Sequence, residues 1–427
     1  MRIGIIGAGF VGLTAAVRLS QKGHAVVVFE KENAPGGLAI GFTHKGWKWP
    51  LEKHYHHLFV SDWAIRNLAK EVGHKIKFSR PKTSTYFQGN IFQLDSLMSF
   101  LKFPHLSLID KARTARVLFY LRITPFWQPL EKITAYKFLT ESMGKNVWRI
   151  LWEPLFVKKF GKFNRSISAS WFWARIKKRS ASLGYPAGGF EGLAKSVEKS
   201  AKKQGARFEY GVGVETINKL RNQLTITTDS GETHIFDRVI CTLPTPLFLK
   251  ITKGLPNSYK KRYSTLQGLG AVNVVLALKE PLLEDGTYWL NVNEKGFPFL
   301  AIVEHTNFAD KARYGGNSIV YVGNYLETSH RYFTLNIQEL IQEFTPCLKR
   351  ISPQFSLKII RKAWVFKAPF AQPVVEKNYS RKIPPIQTPI NGLYLANIQQ
   401  VYPWDRGTNY AVELGSRVAK LVDESTD

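Results

Sequence analysis

Three glycines near the N-terminus have the spacing of a dinucleotide-binding loop. Gly7, Gly9 and Gly12 form a GxGxxG motif between the apolar run RIGII and a segment of Ala/Leu periodicity. In such a loop the first glycine permits a tight turn, the second lets a pyrophosphate approach the backbone, and the third lets the helix pack on the strand. The start of the helix attracts negative charge, so we count Phe10 and Val11 with the glycines as cofactor-binding residues.

An acidic residue ends the next predicted strand. Glu30 follows AVVVF, 18 positions after Gly12, where a carboxylate can accept hydrogen bonds from ribose hydroxyls. An acid at this place disfavours a 2′-phosphate and therefore NADP, but it leaves NAD and FAD open. Gly36 and Gly37 offer two more bare backbone amides near the same diphosphate. We assign two neighbouring residues to this site as well, Lys31 and Leu38.

Two further stretches carry residues that could act on a substrate. The segment KHYHHLF holds the densest histidines, but these lack partners at the spacing of a metal site, so we predict no metal. Residues 156–179 contain eight basic residues and no acid, interleaved with Phe and Trp. This pattern leaves open a membrane surface, a diphosphate pocket, or an aromatic core with a solvated basic face. A nucleic acid is disfavoured, because nothing else in the sequence resembles a nucleic-acid fold.

A third stretch, WDRGTN, stands just before a predicted helix near the C-terminus. A helix that only completes a core needs a cap and an apolar stripe, and it has no need of Trp404, Asp405 and Arg406. We therefore expect this turn to contact a ligand. The alternative is a helix that is capped by Thr408 or Asn409, with Trp404 as simple packing.

The composition describes a basic globular chain. Its 427 residues suit two or three domains, and 60 Lys and Arg against 32 Asp and Glu give a net charge of +28. Such a charge favours an anionic partner, unless it serves only solubility. Two cysteines and no signal sequence fit a reducing cytoplasm. No stretch approaches 18 continuous apolar residues, so we expect a chain that does not span a membrane but could lie on one.

The predicted elements place these motifs in an interrupted α/β domain. Residues 1–40 form a βαβ unit, residues 185–250 a Gly-rich turn, a helix and strands, and the last 40 residues a strand, a loop and a helix. These blocks look like parts of one layer. The predicted fold class is α/β with α+β, with three domains: a discontinuous Rossmann-type domain of residues 1–85, 185–250 and 388–427, a helical subdomain of residues 86–184, and a substrate domain on a mixed or antiparallel sheet of residues 251–387.

The βαβ unit and the glycine pair carry a family resemblance. A βαβ unit ending in Glu and followed by Gly-Gly resembles the flavin amine oxidase superfamily, which includes protoporphyrinogen oxidases, phytoene-type desaturases and, more distantly, UDP-galactopyranose mutases. The cofactor that this resemblance implies is FAD, bound here by a Rossmann-type FAD-binding domain. The resemblance continues at GVGV (211–214), where the backbone of Val214 is expected to meet adenine. It extends to VICTLP (239–244), where the strand before Pro244 is expected to close over the cofactor.

The resemblance also gives the WDRGTN turn a role. It implies that GLYLAN is a strand returning to the first domain, and that the helix start stabilises the anionic N1–C2=O edge of a reduced flavin. Trp404 is expected to flank the ring, while Asp405 and Arg406 face the substrate or fix the turn. Asn397 stands where many relatives carry Gly-Asp or Gly-Glu, and its amide is expected to bond the ribityl chain or a phosphate. The helix start consists of Gly407, Thr408 and Asn409.

On the substrate side the resemblance points to two segments. YHHLF resembles the loop that faces the flavin in the mutases, and the stretch around Lys158 resembles part of their helical domain. Amine oxidases of this superfamily usually place a lysine on a central strand near flavin N5, and Val274 stands near that place here, so amine oxidation proper is disfavoured. Neither cysteine lies in the C-terminal turn, so the FAD is expected to be non-covalent. The expected substrate residues are Tyr55, His56, His57, Lys158, Trp404 and Arg406, with His57 and Arg406 as catalytic candidates.

These observations lead to three hypotheses about function. The first is a cytoplasmic FAD-dependent oxidoreductase that transfers a hydride from a C–H or C–N bond of a small, lipophilic or diphosphate-bearing molecule to flavin N5. The second is a non-redox mutase that rearranges a sugar nucleotide. The third is a basic FAD-containing module that docks on a membrane or a nucleic acid without turnover. Peripheral contact with the inner face of a membrane is compatible with all three.

Overall fold

The computed structural model describes residues 1–426, which form twenty strands and fourteen α-helices. The strands are β1 Arg2–Ile6, β2 Ala25–Glu30, β3 Gly41–Phe42, β4 Leu51–Glu52, β5 Leu58–Phe59, β6 Ile76–Ser79, β7 Lys82–Phe87, β8 Asn90–Gln93, β9 Leu183–Pro186, β10 Arg207–Tyr210, β11 Val214–Leu220, β12 Gln223–Thr228, β13 Thr233–Phe236, β14 Arg238–Cys241, β15 Gly268–Leu278, β16 Thr287–Val292, β17 Ala301–Glu304, β18 Ser318–Leu326, β19 Ile360–Pro373 and β20 Leu393–Leu395. The helices are α1 Phe10–Gln21, α2 Trp63–Glu71, α3 Leu97–Leu101, α4 Leu108–Ile123, α5 Gln128–Glu131, α6 Ala135–Ser142, α7 Lys145–Val147, α8 Glu153–Phe160, α9 Ala169–Lys178, α10 Gly189–Lys203, α11 Thr245–Ile251, α12 Asn257–Tyr263, α13 Ile337–Ile351 and α14 Thr408–Asp423.

A five-stranded parallel sheet, in the order β10-β2-β1-β14-β20, carries the glycine loop. Its strands come from three separate stretches of the chain. The first stretch contributes β1 and β2, the second contributes β10 and β14, and the third contributes β20. Apolar residues cover both faces of the central strands, as expected for parallel strands that are buried on both sides. Helices α1, α10 and α14 pack on one face, and the antiparallel sheet β11-β12-β13 packs on the other through Ile226 and Phe236. The predicted α/β architecture with several sheets is confirmed.

A seven-stranded mixed sheet, in the order β19-β15-β18-β17-β16-β7-β8, stands beside it. Neighbouring strands in this sheet are antiparallel, except that β16 and β7 are parallel to each other. One face packs on α13, and the other carries Tyr288 and Tyr321, which form a cluster with Tyr314. Strands β7 and β8 belong to this sheet, although the predicted boundaries put residues 82–93 outside the substrate domain. That boundary was wrong because β7 pairs with β16, about 200 residues away, and local sequence does not reveal such pairing.

The segment from α3 to α9 is helical, as its pattern predicted. Phe156, Trp171 and Phe172 are fully or almost fully buried in its core, and the aromatic residues of the 156–179 stretch are largely internal. Of the three interpretations that the sequence left open for this stretch, the buried rings favour the aromatic core, because the helices use these rings to pack against each other. Within residues 1–426 no helix has the length and the apolar composition needed to cross a membrane.

Candidate active site

The glycine loop between β1 and α1 makes a tight turn against its own chain. Gly7 has a φ of +102°, and a β-carbon there would overlap the side chain of Thr242. A β-carbon on Gly12 would overlap the carbonyl oxygen of Gly7. Both positions therefore require glycine for the packing of the protein itself. Phe10 and Val11 lie in the first turn of α1 and are buried, so their side chains serve the core.

Gly9 differs from its two neighbours in the motif. Its φ is −72°, and a β-carbon there would meet only the Cα of Gly37, at an ordinary 3.7 Å. The polypeptide therefore does not require glycine at this position, whereas a pyrophosphate that approaches the backbone would. Gly9 is the N-cap of α1, and no side chain caps this helix start. Gly36 donates its backbone N–H to the carbonyl oxygen of Ala8 at 2.9 Å, which holds the predicted glycine pair beside the loop.

Glu30 stands at the end of β2 with its carboxylate next to the loop. One oxygen accepts the Ala8 N–H at 2.7 Å, and the other accepts the Glu32 N–H at 2.9 Å. Each oxygen keeps lone pairs that can accept a ribose hydroxyl. The backbone N–H of Val212 donates to the carbonyl oxygen of Glu30 at 3.0 Å, so the predicted GVGV segment lies against the same strand end. Val214 follows it as the first residue of β11. Lys31 is exposed, and Leu38 packs at the edge of the seven-stranded sheet.

Asn397 uses its side chain inside the protein. Its Nδ2 donates to the carbonyl oxygen of Leu243 at 2.9 Å and to the hydroxyl of Thr245 at 3.1 Å, while its Oδ1 accepts the Gln399 N–H at 3.0 Å. Only 2% of the residue is exposed. The expected contact of this amide with a ribityl chain or phosphate is therefore not supported, because both amide protons already have acceptors. Asn397 instead ties the end of β20 to the start of α11, directly after Pro244.

The WDRGTN turn leads into α14 as predicted, with Gly407 as the N-cap and no side-chain cap. Neither Thr408 nor Asn409 caps the helix, so the capping half of the alternative is wrong, whereas its other half, Trp404 as packing, agrees with the ring contacts of Trp404. The side-chain oxygen of Asn409 instead accepts the backbone N–H of Ile65 at 3.2 Å, which joins the helix start to α2. The backbone amides at the start of α14 therefore remain available to a ligand, with the positive end of the helix dipole behind them.

Trp404 packs among other aromatic rings. Its indole stacks on Trp173, with centroids 5.0 Å apart, and on Tyr410, with centroids 5.7 Å apart. The ammonium of Lys178 lies 4.7 Å from the same ring. The expectation that Trp404 flanks a flavin or touches the substrate is not supported, because the indole is already stacked on neighbouring rings. Tyr410, and not Trp404, borders a small cavity in front of the start of α14.

Asp405 and Arg406 fix the turn. Asp405 accepts the indole N–H of Trp171 at 3.0 Å and the backbone N–H of Arg406 at 3.0 Å. Arg406 donates through Nε to Gln372 at 2.8 Å and also bonds the hydroxyl of Tyr325. Its guanidinium thus connects the start of α14 to strands β18 and β19.

Two adjoining cavities lie in front of this helix start, between the helical region and the seven-stranded sheet. The smaller, of about 180 Å³, is bordered by Gly407, Thr408, Asn409 and Arg406. The larger, of about 720 Å³, extends away from it with mostly apolar walls from α3, α4 and α9, and its volume lies in the range of ligand pockets. The two share six wall residues, His57, Leu155, Arg175, Arg179, Trp289 and Asn291.

Two arginines stand where the cavities meet. Arg175 and Arg179 lie four residues apart at the end of α9, a spacing that places them on one side of a helix. Neither guanidinium has a hydrogen-bond or ion-pair acceptor among residues 1–426. Burial, with the charge of Arg175, lowers the pKa of Arg179 to about 10, so it remains charged at neutral pH. This pair can hold an anionic group.

Lys159, and not Lys158, borders the smaller cavity. Lys158 donates to the carbonyl oxygen of Val292 at 2.8 Å and borders neither cavity, so its predicted substrate role is not supported. Neighbouring residues on a helix point about 100° apart, which is why the sequence pattern selected the wrong lysine. The Nζ of Lys159 lies 4.6 Å from the ring of Tyr325 and has no hydrogen-bond acceptor in the described chain. Burial is the main cause that lowers the pKa of Lys159 well below its usual range.

Two of the three histidines between β4 and β5, His56 and His57, line the smaller cavity together with Tyr55. Burial is the main cause that lowers the pKa of His57 to about 3 and that of His56 to about 4. His57 Nδ1 lies 3.3 Å from the hydroxyl of Tyr288. Both imidazoles are therefore neutral at physiological pH and can accept or donate a hydrogen bond, but they are weak bases.

Asn273 of β15 contacts the histidine segment between β4 and β5. Its Nδ2 donates to His54 Nδ1 at 2.5 Å, whereas Val274 packs on the opposite face with the residues that contact α13. The expectation that Val274 stands near flavin N5 is therefore not supported, because successive residues of a strand point to opposite faces and Val274 points toward α13. Ala271 and Val275 share the face of Asn273, and β15 contains no lysine on either face.

Sequence reasoning missed several residues of the cavities. Arg175 and Arg179 lie in the basic stretch that the sequence singled out, and their four-residue spacing was a usable signal for a shared helix face. Trp289, Asn291 and Tyr325 gave no such signal, because they reach the site through the pairing of distant strands.

The two ends of the chain come together in this structure. Helix α14 packs on α1 where Gly415 meets Val11, and Thr408 begins α14 seven residues earlier, about 10 Å along the helix axis. Two helix starts without side-chain caps and the Glu30 carboxylate offer the donors and the acceptor that a dinucleotide requires, and the smaller cavity adjoins the second of these helix starts.

Known proteins resemble this chain in sequence and in fold. The profile of the flavin containing amine oxidoreductases matches residues 10–422. A 1-hydroxycarotenoid 3,4-desaturase from Flavobacterium sp. (strain P99-3) is 24% identical over 272 residues, which is 56% of each protein, so the chain covers little more than half of that relative. Among solved structures, an oxidoreductase from Methanosarcina mazei superposes with a TM-score of 0.77 at 21% identity, covering 99% of this chain and 100% of the other. A reduced UDP-galactopyranose mutase superposes with a TM-score of 0.78 at 17% identity, covering 100% and 96%.

Proposed function

The chain belongs to the family of flavin-containing amine oxidoreductases, and on that premise we propose that it binds FAD without a covalent bond and transfers a hydride from a lipophilic small molecule to the flavin. The observation that carries this proposal is the apolar cavity of about 720 Å³ that adjoins the start of α14. The desaturase relative, whose name describes action on a carotenoid, supports a lipophilic substrate.

The proposed FAD site uses the two ends of the chain. The loop at Gly9, with Gly36 and Gly37, would hold the diphosphate, and Glu30 would accept the ribose hydroxyls. The backbone amides at Thr408 would hold negative charge on the flavin ring. When bound, FAD supplies the hydride acceptor. The proposed domains follow the predicted boundaries, with residues 82–93 moved to the substrate sheet.

The residues of the smaller cavity differ in what they can do with a proton. The breaking of a C–H bond next to a second C–H or N–H bond releases a proton as well as a hydride. Lys159, a buried amine with no acceptor of its own, is the group best suited to take up that proton at Nζ. His57 is too weak a base for this step and would orient the substrate by a hydrogen bond, and Arg406 would position the turn.

The test is an anaerobic titration of the FAD-loaded protein with lipophilic donors, which include polyenes, cyclic hydrocarbons and long-chain amines. A donor that fits the larger cavity is expected to bleach the flavin absorbance. Leu118→Trp, which narrows that cavity, is expected to raise the concentration needed for half-maximal bleaching, whereas Leu220→Trp on the outer surface is not. Equal behaviour of the two variants would place the substrate elsewhere.

A second candidate function is a mutase acting on a sugar nucleotide without net oxidation. It is favoured by Arg175 and Arg179, two guanidiniums without acidic partners that could hold a diphosphate. The test is incubation of the chemically reduced, FAD-loaded protein with UDP-hexoses and analysis of the products. An isomerised UDP-hexose that is lost in Arg175→Gln with Arg179→Gln would support the mutase, and unchanged substrate would remove it.

A further inference from the structure

The helical region exposes an unusual concentration of apolar side chains. Of the fifteen large hydrophobic residues that are exposed among those described, nine lie between residues 97 and 126. Leu108 is 81% exposed, Phe126 66% and Phe119 65%. Single exposed hydrophobic residues are ordinary, but a cluster of this kind marks an interaction surface. We refer to it as the apolar face, and it consists of Leu97, Met98, Leu101, Leu108, Ile109, Phe119, Tyr120, Ile123 and Phe126.

Helix α4 has apolar residues on two sides. Thr114, Val117 and Leu121 face the core and are buried. The outward side carries Leu108 and Ile109 in the first turn and Phe119, Tyr120 and Ile123 in the last two turns. A surface helix normally presents polar residues on its outer side, so this helix is built to have a second apolar neighbour.

The exposed charged residues around the apolar face are all basic. Lys102, Arg113 and Arg116 are exposed between residues 97 and 126, and Asp110 is the only acid in that segment. Arg122 is exposed as well, but its guanidinium donates to backbone carbonyl oxygens at the end of α9. Asp110 is half-buried and accepts a hydrogen bond from Asn146 at 2.9 Å. Long basic side chains can lie along apolar surface while their charged ends reach anionic headgroups.

The basic residues favour an anionic bilayer over a second copy of the chain as the binding partner of the apolar face. A twofold contact between two apolar faces would bring the arginines of α4 toward the same arginines of the partner, which is unfavourable. An anionic lipid surface has the opposite charge and accommodates the apolar residues at the same time. The net charge of +28 adds a long-range attraction to such a surface.

The apolar face is continuous with the larger cavity. Leu97 and Phe119 belong to the face and also border the cavity, and Phe100 and Leu118 continue its wall inward on the same two helices. A lipophilic molecule could therefore pass from a bilayer into the cavity without crossing water. This delivery step rests on the proposed function, whereas attachment to the bilayer does not.

We propose that the apolar face of α3 and α4 seats the protein on the surface of an anionic lipid bilayer, with the entrance of the larger cavity turned toward the lipid.

The experiment is sedimentation of the full-length, FAD-loaded protein with vesicles, which requires no turnover. We expect binding to phosphatidylcholine vesicles that contain about one third phosphatidylglycerol, weaker binding without the anionic lipid, and weakening as salt rises above about 0.1 M. The triple variant Leu108→Gln, Ile109→Gln, Phe126→Gln removes apolar area outside the cavity wall and is expected to bind about tenfold less or weaker still. The control Leu220→Gln, Leu357→Gln alters two exposed residues elsewhere and should bind like the wild type.

The thermal unfolding midpoint of each variant separates loss of binding from loss of fold. Wild-type protein that does not sediment with anionic vesicles, or a folded triple variant that sediments equally well, would overturn the proposal. A dimer in solution that the triple variant converts to a monomer would also overturn it, because the second copy would then be the occupant. A flavin that no substrate reduces would leave the vesicle result unaffected and would count against the proposed function alone.

Discussion

Gly415 of α14 lies against the backbone of Val11 in α1, so that a β-carbon on Gly415 would stand 2.5 Å from the Val11 carbonyl oxygen. This contact sets the distance between the N-terminal and C-terminal helices. Gly415→Ala is expected to push the helices apart and to lower the free energy of unfolding by about 1–3 kcal/mol. It should also weaken FAD binding, because the start of α14 moves with the helix. Chemical denaturation and FAD titration check this, with Ser416→Ala as the adjacent control. Equal FAD affinity in both variants would show that the helix spacing does not matter to the cofactor.

The glycine loop offers a test that separates ligand contact from packing. Gly9→Ala is expected to fold with nearly unchanged stability, because the new methyl group meets only Gly37 at 3.7 Å. The same variant should lose FAD, because the methyl group occupies the approach of the pyrophosphate. Gly12→Ala should instead unfold, because its methyl group overlaps the Gly7 carbonyl oxygen. Circular dichroism and flavin absorbance check both, and an FAD-loaded Gly9→Ala protein would refute the assigned loop.

The two neighbouring lysines of α8 are expected to behave differently. Lys159→Met removes a buried amine without an acceptor, so stability should hold, while the rate of flavin reduction should fall by about 10²–10⁴-fold if Nζ takes up the proton. Lys158→Met loses the bond to Val292 and should cost about 0.5–1.5 kcal/mol of stability with no change in that rate. Stopped-flow reduction across pH checks this with any compound that reduces the wild type. A Lys159→Met protein with wild-type rates would exclude the amine from proton transfer.

His305 gives a pH prediction outside the cavities. Its Nε2 lies 2.9 Å from the hydroxyl of Tyr314, and burial lowers the pKa of His305 to about 3, against about 6.5 in an unfolded chain. Between these values the unfolded state binds more protons, so this histidine makes folding less favourable as the pH falls below 6.5.

His305→Phe removes that proton binding and the bond to Tyr314 together. The variant should be less stable than the wild type at pH 7, and the deficit should shrink by about 2 kcal/mol between pH 7 and pH 5. Urea unfolding of both proteins at the two pH values measures the change. A deficit that stays constant would mean that His305 titrates normally in the folded protein.

The sequence predicted the parts of the site that depend on local spacing. The tight turn at Gly7, the acid at Glu30 and the start of α14 at Thr408 lie within short segments whose periodicity and glycine content restrict the backbone. It also predicted that His56 and His57 lie near the site, although that came from resemblance alone.

The sequence could not predict relationships that depend on face and on distant pairing. Lys158 and Lys159 point in different directions on their helix, and Asn273 and Val274 point to opposite faces of their strand. The sequence around each pair was compatible with either residue facing the site. Trp404 resembled a ligand contact because exposed and stacked tryptophans look the same in a sequence. The apolar face of α4 was equally hidden, because its outward residues have the composition of a buried helix.

The cofactor content of the purified protein tests the central claim most directly. The chain should purify yellow, and mild acid should release a stoichiometric amount of FAD, not FMN, and leave none attached to the polypeptide. A colourless protein that takes up no FAD when soaked in it would contradict the account, because the Gly9 loop and the Thr408 helix start would then have no common ligand.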